Sequence, residues 1–253
     1  MNRFYVFSYF LDSRRKKELE IHQLRDGHAC LEWTPVLCQR GYEYGGPILN
    51  YPSGNGANSY HDEHGLDSSD LLVLTTRPPL HDMYQGARKQ VERSNTELEE
   101  KVFASLERFF DVCSRSYMKL SAEVAMLLPE THGNRAEIVV RQHRGAGYLR
   151  LKEHEAYQQW VSYEGNRRLT AGYLIYLTET WENGPALLAS FGMGGRETLI
   201  WNHLIRTRFP DILDSQVLVL GEIEWMEEGP MKKHSGLKFS EDWPVEIFLK
   251  HSF

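Results

Sequence analysis

Cysteine is scarce in this chain. Cys30, Cys38 and Cys113 are the whole complement, and no two of them form a Cys-x-x-Cys pair. So sparse and odd a set excludes a disulfide framework and a zinc site built from cysteines alone. Long apolar runs are missing too: no stretch approaches the roughly 20 residues a membrane-spanning helix needs. The N-terminus shows no basic segment followed by an apolar one. A cytoplasmic protein with reduced thiols and no membrane partner is therefore expected. Positive charge is not in excess either. Lys and Arg number 29 against 35 Asp and Glu, a net charge of −6, which argues against broad nucleic-acid binding. There is no Gly-x-Ser-x-Gly elbow and no internal repeat.

What the chain does have is an apolar run that stops at a cluster of glycines. Pro185 to Phe209 reads PALLASFGMGGRETLIWNHLIRTRF. Ala186 to Phe191 is too short and too apolar for a surface helix and reads as a strand buried on both faces. Gly192, Gly194 and Gly195 permit a tight turn and close backbone approach. From Arg196, the residues Ile200, Trp201, Leu204, Ile205 and Phe209 recur at helical spacing, and Pro210 marks the stop. A strand feeding a helix through such a turn can cradle a phosphate or carboxylate on the helix N-terminus. The plainer reading is a turn and nothing more. The spacing Gly-Met-Gly-Gly matches neither the dinucleotide fingerprint nor the P-loop. Glu197 suits the positive end of the helix; Arg196 does so only with an anion beside it.

Other segments read as follows. Phe4 to Leu11 and Leu71 to Thr75 are buried strands, and Asp12 or Ser13 can cap a helix running to Asp26. Ala29 to Leu37 is a strand disturbed by Pro35. Gln39 to Ser69, rich in Gly, Asn, Ser and Tyr, is a long loop or flap. His81 to about Leu128 carries a helical apolar face, broken into two or three helices. Ala136 to Gln142 and Tyr148 to Leu151 flank a hairpin turn, and His154 to Glu164 is a short helix. Ala171 to Thr178, Gln216 to Leu220 and Val245 to Leu249 are strands, with a turn at Glu182 to Pro185. The expected fold is α/β: a mixed, largely parallel sheet with helices on both faces and a helical segment around 80–128. Residues 1–128 and 129–253 form its two halves within one compact unit.

The candidate chemistry is positional. Arg14, Arg77 and Arg196 each follow an apolar strand, so parallel strands would gather them at one sheet edge, where open α/β sheets bind ligands. The guanidinium fork suits phosphate and carboxylate. Glu179 and Glu222 close two further strands and can act as general bases there. Separately, His61 and His64, in the segment His61-Asp62-Glu63-His64, carry ligand types that suit zinc, iron or manganese. Three functional classes fit these residues. The first is an enzyme binding a small anionic or phosphorylated substrate at the carboxyl edge. The second is a non-catalytic binding or regulatory protein acting through an oligomeric or partner interface. The third is a metal-dependent hydrolase. No particular cofactor is implied.

Overall fold

In the computed structural model of the chain, the described residues are 2–9, 29–50, 65–78, 80, 97–113, 117–139, 158–159, 162–164, 167–226, 240 and 242–253. The helix expected after Asp12, the hairpin turn before Tyr148 and the sites at Arg14, His61 and His64 lie outside them. The first half of the chain contributes β1 (Arg3–Tyr9), α1 (Thr34–Gln39), β2 (Glu43–Asn50), β3 (Leu71–Leu74), α2 (Glu97–Glu107), β4 (Phe110–Cys113), β5 (Tyr117–Leu120) and α3 (Ala122–Met126). A 3-10 helix, Glu130–Ala136, leads into β6 (Glu137–Val139), β7 (Gln158–Gln159), β8 (Ser162–Glu164) and β9 (Arg167–Leu177). Then come β10 (Ala186–Gly192), α4 (Gly195–Arg208), a 3-10 turn at Pro210–Leu213, β11 (Val217–Met226) and β12 (Val245–Ser252). No helix among the described residues is long and apolar enough to cross a membrane.

The main sheet has the order β12-β11-β9-β10-β3-β1-β2, with β8 also paired to β9. Strands β2, β1, β3 and β10 are parallel neighbours; the ladders β10–β9, β9–β11, β11–β12 and β8–β9 are antiparallel. The chain is thus a mixed α/β protein, and the expectation of a largely parallel sheet is corrected. The turn at Glu182–Pro185 is the physical reason on one side. It folds β9 straight back as β10, with Asn183 at φ 60° and the Asn183 amide donating to Glu179 Oε1 at 2.6 Å. A second sheet runs β4-β5-β6-β7.

Alternate residues of the main sheet feed two apolar clusters, as the pleat requires. One holds Tyr5, Phe7, Leu72, Leu74, Tyr173, Phe191 and Leu220, packed with Val102 and Leu106 of α2 and with Phe110, Met118 and Leu120 of the small sheet. The other holds Phe4, Val6, Leu71, Val73, Leu188 and Val219, packed with Trp33 and Leu37 and with Ile200, Trp201, Leu204 and Ile205 of α4.

Four further expectations are corrected. Residues 81–128 are not helical throughout. Phe110–Cys113 and Tyr117–Leu120 pair antiparallel, and Leu80 bridges to Cys113 through two backbone bonds. Phe110, Val112 and Cys113 are buried around an exposed Asp111, with a register shift between Phe110 and Val112, and so short a run cannot be told from a helix by its spacing. Ala29–Leu37 is helical rather than extended. Pro35 sits in the first turn of α1, where its missing N–H has no bond to lose. The segment 39–69 contains β2, whose Gly45 takes no side chain because a Cβ would lie 2.3 Å from the Tyr5 ring. Finally, 154–164 holds the short strands β7 and β8.

One pH response follows from the packing. Tyr42 and Tyr176 both have phenols pushed above the ordinary tyrosine range, chiefly by burial that disfavours the phenolate. Raised folded-state values mean the protein keeps this contribution below the unfolded tyrosine pKa of about 10 and loses it as pH climbs through the folded values. Melting temperature should therefore fall above about pH 10, and the Tyr176→Phe variant should fall less steeply. Melting curves from pH 8 to 11.5 check this; parallel declines in the two proteins would refute it.

Candidate functional site

The parallel neighbours β3 and β10 register as Ala186 with Leu71 through Ala189 with Leu74. Their exits therefore emerge side by side. Thr75, Thr76 and Arg77 follow β3, and Met193 to Arg196 follow β10. The parallel order β2-β1-β3-β10 also reverses between β1 and β3, since the chain leaves β1 for β2 on one side and β3 for the other. Open sheets offer a crevice outside the carboxyl ends at such a reversal.

The adjacent antiparallel strands give this edge a wall. Gly192, the last residue of β10, is level with Gly172 of β9. Yet β9 begins earlier at Arg167, and its residues 167–171 pair with 222–226 of β11 beyond that level. Since β11 flanks β9 throughout that stretch, β8 takes the other flank of β9, in line with β10 and past its end.

Helix α4 is seated by a row of glycines. Gly192, Gly172 and Gly221 lie level on β10, β9 and β11. A Cβ on Gly172 would stand 2.0 Å from Trp201 Cδ2, and one on Gly221 would stand 3.1 Å from Trp201 Cη2. The indole of Trp201 lies in this socket and donates from Nε1 to Tyr173 O at 3.0 Å. Gly192 lies against the backbone of the helix itself. A Cβ there would be 2.8 Å from Glu197 C, and the Gly192 amide donates to Thr198 Oγ1 at 2.9 Å. The glycine at strand end is therefore required by close approach. Asn202, fully buried, locks the same junction. Its Nδ2 donates to Ser190 O at 3.1 Å and Thr198 O at 2.8 Å, and its Oδ1 accepts from Trp33 Nε1. At the far end of α4, Glu32 Oε2 receives both His203 Nδ1 and Arg206 Nη2.

The predicted site residues fall as follows. Gly194 is the N-cap of α4, with no side-chain cap, and Gly195 is its first residue. A Cβ on Gly194 would lie 2.6 Å from Glu197 Oε2, so a native carboxylate already leans over this helix start. Arg196 lies over the Trp225 ring, with Cζ 5.4 Å from the centroid. Arg77 stands at the same edge after β3, and both arginines make further contacts within the fold. Glu222 pairs with Ala171, just past the glycine row. It alternates with Gly221 and Ile223, so it faces away from α4. Glu179 follows the end of β9, which runs against β10, and so lies at the opposite edge of the sheet. The structure thus brings together the exits carrying Arg77 and Arg196 and leaves Glu179 out.

Other groups at this edge carry no motif in the sequence. Thr170 and Trp225 are buried on the α4 side, and Cys30 Sγ lies 3.2 Å from Thr75 Oγ1. Gly172 and Gly221, each inside a strand, are the signals of a close approach that the sequence does carry. All three cysteines are free, and no group of three or more metal-ligating residues occurs among the described residues. Compared with known proteins, the chain matches no family model, no curated protein and no solved structure.

Proposed function

We propose that the protein binds a small anionic or phosphorylated molecule at the carboxyl edge formed by the β3 and β10 exits. The observation that carries this reading is the parallel, adjacent placement of β3 and β10, which sets the turn bearing Arg77 beside the turn bearing Arg196. Gly192, Gly194 and Gly195 supply close backbone approach, and the start of α4 supplies oriented amides. Arg14 follows β1 in the sequence and is the third cation of the proposed set. The projecting β9–β11 ribbon shelters one side. The free thiols favour a cytoplasmic setting.

Thermal melts with phosphate, sugar phosphates and nucleotides test the reading. At a ligand concentration a hundredfold above Kd, stabilisation of about 2.7 kcal/mol should raise Tm by roughly 5–10 °C. Arg77→Ala should weaken that ligand about tenfold or more, the value of one charge-assisted hydrogen bond. A full panel with no shift, or an Arg77→Ala protein that binds as the parent does, would remove the proposal.

A further inference from the structure

Two buried hydrogen-bond donors lie on the sheet face that carries α4, past the level at which β10 ends. Thr170, 1% exposed, and Trp225, 3% exposed, are enclosed in the fold, yet Thr170 Oγ1 and Trp225 Nε1 have no hydrogen-bond partner among the described residues. An indole N–H can only donate, so its burial calls for an acceptor. Both side chains lie on the α4 side of the sheet. Thr170 alternates with Gly172, whose missing Cβ points at Trp201 of α4, and Trp225 belongs to the cluster that holds Ile200 and Trp201. Thr170 is also two residues beyond the Gly172–Gly192 level, where the β10 chain turns into the helix. The Arg196 guanidinium covers the Trp225 ring. The N-cap residue Gly194 brings no side-chain cap to the first amides of α4.

One native anion competes for this place. Glu197 stands at the third position of α4, and its Oε2 leans back to Gly194. A tethered carboxylate acts at an effective concentration on the order of millimolar. A free carboxylate ligand brings the same single charge and would have to displace its equal. A phosphoryl group brings about −1.5 to −2 charge and three strong acceptor oxygens, enough for the amides, the hydroxyl, the indole N–H and the guanidinium together.

We infer that Thr170, Trp225, Arg196 and the first amides of α4 form a phosphoryl subsite, with the Glu197 carboxylate as its built-in competitor. The inference rests on the anion-binding reading above and adds the class of anion, two further binding residues and a means of regulation. Glu197 competes only at the helix start and leaves Thr170 Oγ1 and Trp225 Nε1 unmet, so a dianion with further acceptor oxygens displaces it, which selects phosphate and phosphomonoesters against carboxylates.

Calorimetric titration of the full chain with inorganic phosphate, glycerol 3-phosphate and acetate tests this. Phosphate should bind at least about tenfold tighter than acetate, a difference of one charge-assisted contact. Glu197→Gln should tighten phosphate about fivefold or more by removing a like charge at the helix start. Thr170→Val should weaken phosphate about fivefold or more while leaving the ligand-free Tm unchanged or higher, because an orphan hydroxyl is removed. Trp225→Phe should weaken it likewise. Tighter binding of the ester than of inorganic phosphate would identify a phosphorylated metabolite as the ligand; equal binding would identify inorganic phosphate. If Arg77→Ala loses affinity while Glu197→Gln, Thr170→Val and Trp225→Phe bind as the parent does, the subsite is overturned and the wider anion site stands. If neither the parent nor Glu197→Gln binds phosphate or its ester, the subsite falls; binding of some other anion would still leave the wider reading intact.

Discussion

Gly172→Ala should lower stability by at least about 3 kcal/mol, or prevent folding outright. The added Cβ would stand 2.0 Å from Trp201 Cδ2 and 2.1 Å from Cε3, inside the ring's own volume. Neither side has room to yield. Trp201 is fully buried, its Nε1 is tied to Tyr173 O, and Gly172 lies in the middle of β9 with ladders to β10 and β11 on both sides. Interiors this dense respond to a misplaced methyl by repacking whole elements. Here the displaced element would be α4, and with it the start of the helix at the proposed site. Trp201→Leu alone should also destabilise, by on the order of 2–3 kcal/mol, through lost volume and the lost bond from Nε1 to Tyr173 O. The double variant should recover more than about 1 kcal/mol relative to the sum, because the smaller side chain admits the methyl. Denaturant titration of the four proteins measures the coupling. Additive losses would mean that the glycine and the indole do not meet as described.

Asn202→Leu is the second large effect, expected at about 2–5 kcal/mol. The amide is fully buried and joins α4 to β10 and to the segment preceding α1. A leucine of similar size removes the acceptor of Trp33 Nε1 and a donor to Ser190 O. Two polar groups are then left enclosed, each costing about 1–3 kcal/mol in desolvation that nothing offsets. The midpoint of urea unfolding should drop with little change in slope, since the surface exposed on unfolding is the same. A loss below about 0.5 kcal/mol, the size of an ordinary surface change, would contradict the described network.

The local elements at the site are legible in the sequence. The apolar run Ala186–Phe191, the glycine turn and the helix after it are readable because each depends on neighbours along the chain, and the structure has β10 and α4 there. Strand direction is readable only where a tight turn joins two strands, as at Glu182–Pro185 between β9 and β10. Arg77 and Arg196 share an edge because β3 and β10 pair in parallel, whereas Glu179 is carried to the other edge by an antiparallel β9. Pairing of segments more than a hundred residues apart leaves no mark on either segment alone. The same holds for Thr170 and Trp225. An isolated threonine and tryptophan have no special pattern, and they gain meaning only from the register that sets them beside the start of α4. In β4 and β5 the apolar spacing itself misleads, because strands of four residues, one of them interrupted by a register shift, are too short for their alternation to stand out from the helical pattern around them.

The Trp225 indole N–H gives the most direct measurement. An indole N–H gives a side-chain signal in a proton–nitrogen NMR spectrum, and the amides of Gly194 to Glu197 report on the helix start in the same spectrum. Titration with glycerol 3-phosphate should move these signals together along one binding curve, while the amides of Thr178 to Glu182 at the opposite edge stay in place. A titration that leaves the Trp225 indole and the α4 amides unmoved, or that shifts the opposite edge instead, would contradict an anion site at the β10–α4 turn.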